Sequence, residues 1–340
     1  MFINETLDIF RDGDGAVYQV RNKEAVMTIA FDKPEDEAVF NGIVTQLQAG
    51  RGPITADALI DRMSKAFPRE TVVRVVRDLR DNGILTDSVL RRALKGALGP
   101  QMQFWNRAEF GTQGLSPQQL QDEWTETRLA IVGDRYLAEL IAQKAKLTGL
   151  GRVTTVVRPE RSLTPGQLNH LMSSDVIVAA YDQHHAFQLN QLNKEAIRLD
   201  KAWLLVRGMN GMTASVGPLF VGKETGCFHC LTSRLKSTMD HADLYDSYES
   251  YLLEHQAASR GEGAPIAAYD LIANLAVLEV MKLRTKWAVP ATYGNIINFD
   301  LYDVQTTTHP FLRTPVCPVC KPVATYSPAP WLEPLIQLPA

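Results

Sequence analysis

The residues best suited to chemistry are the four cysteines, which fall in two pairs of identical spacing, Cys227-Phe-His-Cys230 and Cys317-Pro-Val-Cys320. A two-residue gap lets both thiolates of a pair face one tetrahedral ion, and two such pairs complete a four-cysteine zinc site. Four thiolates leave no open coordination position, so the ion reads as structural, and no cysteine remains to act as a nucleophile or carry a thioester. The competing reading is a redox-active pair beside two unrelated cysteines. His229 reads as a neighbour of the ion rather than its ligand. The pairs lie far apart in the chain, so the metal would staple two remote parts of one domain.

A second place for chemistry is the turn after the apolar strand Arg128-Leu-Ala-Ile-Val-Gly133. A nucleotide site there needs several glycines, so that backbone N–H groups approach phosphate at a helix N-terminus. The turn reads Gly133-Asp-Arg-Tyr-Leu-Ala138, with one glycine only, and Asp134 puts negative charge where phosphate would sit. The next strand, Val153–Val157, ends in Arg158-Pro159 and lacks the acidic residue that holds a ribose. Gly133, Arg135 and Asp182 therefore read as a degenerate nucleotide site, and ATP is not expected on this chain. His184 and His185 follow Asp182 and read as polar surface. Asp240, His241, Asp243, Asp246 and His255 match no closed metal motif; they read as a polar helix with a mobile loop.

These groups need a frame to position them. Strands at 128–133, 153–157, 175–180 and 203–207 alternate with helical stretches such as 136–147, the pattern of a Rossmann-like parallel sheet. Ahead of it, residues 7–11, 16–20 and 25–31 have strand character and are punctuated by turn residues. Three helices follow: one from Pro34 with Val39, Phe40, Ile43, Val44 and Leu47 inward, one capped by Thr55, and one from Pro68. The third places Val72, Val73, Val76 and Leu79 inward and carries Arg74, Arg77 and Arg80. Three strands and three helices read as a winged helix-turn-helix. Such a domain either binds DNA through its third helix or adds a peptide to its third strand. The acidic residues Asp12, Asp14, Glu35, Asp36 and Glu37 disfavour a duplex. The peptide-binding candidates are Ala25, Val26, Met27, Thr28 and Ile29 on the strand, with Val73, Arg74, Arg77 and Arg80 on the helix. A purely structural cap is the remaining reading.

The expected division is therefore 1–90 as the recognition domain, 91–125 as a connecting segment, 126–322 as the α/β domain and 323–340 as a proline-rich tail. That tail, with Trp331, Leu332, Leu335 and Ile336, reads as a strap over a partner subunit or over its own domain.

In order along the chain, Leu129–Leu147, Asp175-Val-Ile-Val-Ala-Ala-Tyr-Asp182, Phe187-Gln-Leu-Asn190, Gly208 to Gly217 and the first CxxC pair resemble the ThiF/MoeB adenylating superfamily, relatives of ubiquitin-activating enzyme. The helix Ile266–Leu283 with Glu279-Val-Met-Lys282, then Asn298-Phe-Asp300 and the second CxxC pair, extend the likeness to about Lys321. The strand-first N-terminal module is similar to PqqD-like leader-peptide recognition domains. Together they resemble the leader-binding partner protein of azoline-forming cyclodehydratases. The resemblance implies a protein that binds the leader of a ribosomal precursor peptide and presents its core to a YcaO-type enzyme. That enzyme carries ATP and forms the thiazoline or oxazoline, sometimes with a flavin dehydrogenase alongside. It also implies a homodimer within a larger complex, makes residues 237–264 a candidate for peptide or partner contact, and places Asp182 where the superfamily holds a metal. An active enzyme adenylating a peptide C-terminus is the alternative, and a winged-helix DNA-binding regulator is a third.

Composition narrows the classes. With 340 residues, 45% hydrophobic and 21% charged, the chain has apolar content enough for two packed domains. A net charge of −3 argues against coating nucleic acid or an anionic membrane. No stretch reaches the roughly 18–20 apolar residues of a membrane span. The opening MFINETLDIF lacks the features of a signal peptide, so a cytoplasmic chain is expected.

Overall fold

The computed structural model describes residues 1–321 apart from 12, 14–16, 22–25, 50–53, 106–114, 158–161, 223 and 262. Ala25 and the proline-rich tail lie outside the described residues. The chain divides into two compact units, Met1–Gln121 and the remainder from Asp122.

The first unit opens with β1 (Phe2–Ile3), β2 (Asp8–Arg11), β3 (Val17–Arg21) and β4 (Val26–Ala30), followed by α1 (Pro34–Gln48), α2 (Ala56–Met63) and α3 (Arg69–Asp81). Then come β5 (Leu85–Thr86), α4 (Ser88–Lys95) and α5 (Gly99–Trp105). β2, β3 and β4 form an antiparallel meander in that order, as the alternation predicts. Met27 and Ile29 pack toward the core while Thr28 and Ala30 face out, the two-residue period of a half-buried strand. Val39, Phe40, Ile43, Leu59 and Val72 are wholly buried. Thr55 caps α2 by accepting from Ala58 N at 3.1 Å.

Two details depart from expectation. Val73 does not face inward: it is exposed, and Val75 is buried with Val72, Val76 and Leu79. That set follows the i, i+3, i+4, i+7 stripe of one helix face, which leaves the position after Val72 outside. The short ladder of β1 with β5 has no counterpart in the sequence pattern, because two-residue strands carry no period. Asn4 secures it, its Nδ2 donating to Gly83 O at 3.0 Å.

The second unit begins in α6 (Pro117–Glu126), which crosses the boundary, and continues with β6 (Arg128–Gly133), α7 (Arg135–Leu147), β7 (Arg152–Val157), α8 (Pro165–Met172), β8 (Val176–Tyr181) and α9 (Ala186–Arg198). It ends with β9 (Ala202–Asn210), β10 (Thr213–Val221), α10 (Phe228–Lys236), α11 (Ala242–Glu254), α12 (Ile266–Thr285), β11 (Asn295–Asp300) and β12 (Gln305–Pro310). The seven strands form one sheet in the order β12-β11-β10-β9-β8-β6-β7. β7, β6, β8 and β9 run parallel, the Rossmann-like part, and β10–β12 extend it antiparallel. Leu129 to Val132 and Val176 to Ala180 are buried along both faces, which is why they read as unbroken apolar runs. One face packs α8, α9 and α10 through a cluster including Ile177, Trp203, Leu205, Leu192, Phe228 and Leu231. α7 and α12 pack together and against strands of the other face. Among the described residues, no helix is long and apolar enough to cross a membrane.

Candidate functional site

The CxxC pairs are brought together by the two ends of the α10–β12 stretch. Cys227 caps the N-terminus of α10, so that the positive end of the helix faces the cluster. Cys317 and Cys320 lie in the turn after β12. Arginine side chains hold these loops in place. Arg313 donates Nε and Nη2 to Thr225 O at 3.1 and 2.7 Å, and Arg234 Nε donates to Leu312 O at 2.6 Å. Gly226 has room for no side chain, since a Cβ there would lie 2.5 Å from the Phe311 ring.

The sulfur atoms of Cys227 and Cys230 are 3.8 Å apart, those of Cys227 and Cys317 3.7 Å, and those of Cys230 and Cys320 3.6 Å. All four lie within 4.8 Å of one another. A tetrahedral ion with metal–sulfur bonds near 2.3 Å requires edges of about 3.8 Å, so the donor set fits a single dication. His229 is not part of this group. The bond that Cys227 donates to Cys230, together with burial, raises the Cys227 thiol far above its ordinary value. Cys230, accepting from Cys227 and Thr314, is held down at about 3, and burial pushes Cys320 up to about 12. A cation bound by four thiolates must therefore displace protons from the others.

The other place of convergence is a cleft of about 280 Å³ lined by Asp134, Arg135, Tyr136, Leu137, Glu139, Asp182, Gln183 and Tyr269. It lies where β6 and β8, adjacent parallel strands, end at the start of α7, the position at which open α/β sheets take ligands. Gly133 approaches β8 so closely that a Cβ would meet Ala180 O at 1.8 Å. Asp134 Oδ2 accepts the backbone N–H groups of Asp182 and Gln183 at 2.7 and 3.0 Å. His185 Nε2 lies 3.3 Å from its Oδ1. Burial works to raise the Asp134 pKa, but His185 and the two N–H groups outweigh it and hold the carboxyl below its ordinary value.

Asp182 Oδ1 accepts Met209 N at 3.3 Å, and its side chain fills the space beside Gly208, where a Cβ would lie 1.9 Å away. Burial and a bond to Asp182 raise the Tyr269 hydroxyl. Tyr136 stands edge-on to Tyr269 at 5.3 Å. Arg135 does not point to a phosphate position alone; it pairs with Glu139 at 3.7 Å. The cleft thus presents three carboxylates against one already paired guanidinium.

The two histidines are not plain surface. His185 is largely buried and packs on Tyr181 at 4.8 Å, and His184 Nε2 lies 3.7 Å from Glu249 of α11. Ser259 brackets His184 from the loop after α11, its Oγ accepting His184 N at 2.7 Å. That segment, which the resemblance makes a candidate contact region, therefore crosses the end of β8. Tyr269 carries no signal in the sequence, being one aromatic in a long apolar helix.

In the first unit β4 pairs with β3 alone among the described residues and forms one edge of its sheet. On α3, Val73 is 40% exposed, and the open side chain of Arg77 reaches Asp78 at 3.9 Å. Arg80 is exposed as well. Arg74 is tied to Asp36 of α1.

No family model and no curated protein matches the chain. Similar solved structures include a heterocyclase in complex with substrate and cofactor (17% identity, TM-score 0.66) and the heterocyclase TruD (20% identity, TM-score 0.65), each alignment covering 94% of this chain. This chain spans 39% and 42% of those two proteins. E. coli MccB, solved with AMPCPP and MccA, is matched over 98% of its length and 94% of this chain, at 15% identity and a TM-score of 0.56. At these identities the likeness is one of fold, and at that level the resemblance read from the sequence holds.

Proposed function

We propose that this chain is the leader-binding, ThiF-like subunit of a YcaO-dependent cyclodehydratase. It presents a ribosomal precursor peptide for azoline formation, with zinc as a structural ion and no nucleotide of its own. The observation that carries this reading is the charge of the cleft beside β6. The frame of a nucleotide fold is kept, but Asp134, Glu139 and Asp182 line the place a polyphosphate would need, and Glu139 occupies Arg135. Like charges in such a site oppose each phosphate by about 3 kcal/mol per pair at roughly 5 Å and an effective dielectric of about 20.

Zinc is supported by the all-sulfur donor set and its spacing. It would be held by Cys227, Cys230, Cys317 and Cys320, and when bound it supplies only a cross-link between the α10 and β12 loops. Peptide binding is supported by the open β4 edge, to which an extended leader adds by main-chain hydrogen bonds. Val73 and Arg77 on α3 are placed to meet its side chains. The winged-helix description of residues 1–90, the homodimer and the flavin dehydrogenase partner belong to the same proposal.

One observation favours a second reading, an active adenylating enzyme: MccB, solved with ATP, is matched over almost its full length. Calorimetric titration of the purified chain with Mg-ATP separates the two. No detectable heat supports the scaffold, and micromolar binding establishes the second reading instead. In parallel, a fluorescent precursor peptide should bind the chain, and Arg77→Glu should weaken it several-fold if the leader is acidic there. Unchanged affinity moves recognition away from α3.

A further inference from the structure

We propose that Thr314 is a positioning residue of the cysteine site: with a metal held there, its hydroxyl donates to the Cys230 thiolate and sets how tightly the metal is bound. The role rests on the zinc reading proposed above and lies one residue outward from the four sulfurs. Thr314 Oγ1 is 3.1 Å from Cys230 Sγ, although 84 positions of chain separate the two residues. Among the described residues that sulfur is the one hydrogen-bond partner of the hydroxyl.

The contact is built, not incidental. Cys230 lies in the first turn of α10, and Arg234 stands one turn further along the same helix face. Arg234 donates Nε to Leu312 O at 2.6 Å and Nη2 to Arg313 O at 3.1 Å. Arg313 is itself anchored to Thr225 O, just ahead of the first cysteine pair. Residues 312 and 313 are therefore fastened along α10, and the next residue in line delivers its hydroxyl to the sulfur one turn back. Thr314 is half-buried and β-branched, which narrows its rotamers, and Pro315 after it favours extended backbone.

Charge decides what the bond is for. Four thiolates around one dication carry a net double negative charge, and three of these four cysteines are buried. Buried charge is tolerated where donors meet it. Cys317 has the Cys320 N–H at 3.5 Å, and Cys227 sits at the positive end of α10. The contacts of Cys230 with Cys227 and Cys320, at 3.8 and 3.6 Å, depend on thiol protons that a metal displaces. Thr314 is the side-chain donor that remains. Between a thiol and a hydroxyl either atom can donate; a thiolate can only accept, so the bond becomes charge-assisted once a metal is held. Groups that orient a ligand in this way are worth about 10–100-fold in metal affinity.

The test uses the full chain loaded with Co²⁺ in place of zinc, whose sulfur-to-metal charge-transfer band reports on the thiolates, with zinc affinity read by competition against a chelator. Thr314→Val keeps the outline of the side chain and removes the hydroxyl. It should weaken zinc about 10–100-fold and move the band to lower energy, because a thiolate without its hydrogen bond gives up electron density more readily. Thr314→Ser keeps the hydroxyl and should hold the band in place and the affinity within about threefold of the wild type. An unchanged affinity in Thr314→Val overturns the proposal. So does a loss of affinity with the band unmoved, which would make the residue a packing element only, and so do equal losses in the valine and serine variants. If Thr314→Val does not fold, Thr314→Ser against Thr314→Ala makes the same comparison, since those two differ by the hydroxyl alone. A wild-type chain that takes up no cobalt through its sulfurs fails at the earlier step: the zinc reading falls, and the role of Thr314 with it.

Discussion

Replacing Gly133 with alanine asks what the glycine after β6 is for. Its φ of +147° is a conformation that residues with a Cβ rarely adopt, and a Cβ built there lies 1.8 Å from Ala180 O and 2.6 Å from the Ala180 carbonyl carbon. Gly133 and Ala180 are register partners in adjacent parallel strands, and Asp134 N donates to that same carbonyl at 2.9 Å. β8 would have to retreat by roughly 1.5 Å, within an interior packed as densely as a molecular crystal. The backbone strain costs about 1–3 kcal/mol and the overpacking about as much again, together about 2–6 kcal/mol. For a unit of this size each kcal/mol moves the melting temperature by about 2–4 °C, so Gly133→Ala should melt roughly 4–24 °C lower. Circular-dichroism melts and urea titrations read this directly. Gly211→Asn is the control: φ is +62°, nothing lies within 4 Å of the added Cβ, and asparagine tolerates that region, so the cost should stay below about 1 kcal/mol. If Gly133→Ala melts within about 2 °C of the wild type, close packing is not the reason for the glycine, and a bound group would have to supply one.

Two further outcomes are expected. Metal analysis of the purified chain should find about one zinc per chain, and Cys227→Ser or Cys317→Ser should lower both zinc content and melting temperature; full stability without metal would sink the structural role. Arg128 binds Asp175 through Nη2 at 2.7 Å and through its backbone N at 2.8 Å, and this pairing holds the Asp175 carboxyl at about 2. A depressed carboxylate stabilises the fold above its unfolded pKa near 3.9, and the gain is lost as pH falls through about 2. Because Arg128 is half exposed, Asp175→Asn should cost only about 1 kcal/mol at pH 7, and the gap should close between about pH 4 and 2. A gap unchanged across that window would mean that the ion pair is not its source.

The parts legible in the sequence are those with a run or a period. β6 and β8 are continuous apolar stretches, α7 is a helical stripe, and the N-terminal meander alternates. β12 is not legible because every residue of Gln305–Pro310 is exposed, which leaves no apolar face to count. β10 enters only as part of a resemblance, since seven of its nine residues are buried and no alternation survives. The cysteine spacing points to the ligand set, but the loops that bring the pairs together are held by Arg313 and Arg234, which no motif marks. Asp134 is readable as a charge in the wrong place for phosphate. That it accepts the N–H groups of Asp182 and Gln183 depends on β8 lying beside β6, which spacing along the chain does not reveal.

Gly133 and Asp182, which suggest a nucleotide motif, and Asp134, which argues against one, are each engaged within the unit itself. Gly133 lets two strands meet, Asp134 closes the turn of the neighbouring strand, and Asp182 fills the space left by Gly208 while accepting from Met209. These are the tasks of a crossover between parallel strands, and such a frame needs them whether or not a phosphate binds. Their presence is therefore no argument for a nucleotide, while the charges of Asp134 and Asp182 count against one in the reading proposed above. The discriminating positions are those that line the cleft without holding it together: Tyr136, Glu139 and Arg135. Glutamate at 139 pairs with Arg135 and tyrosine at 136 takes up room, both of which oppose a triphosphate in the reading proposed above. If Glu139→Ala with Asp134→Asn allowed Mg-ATP to bind, charge alone would be what the cleft changed. If it did not, the missing glycines would be the deeper cause.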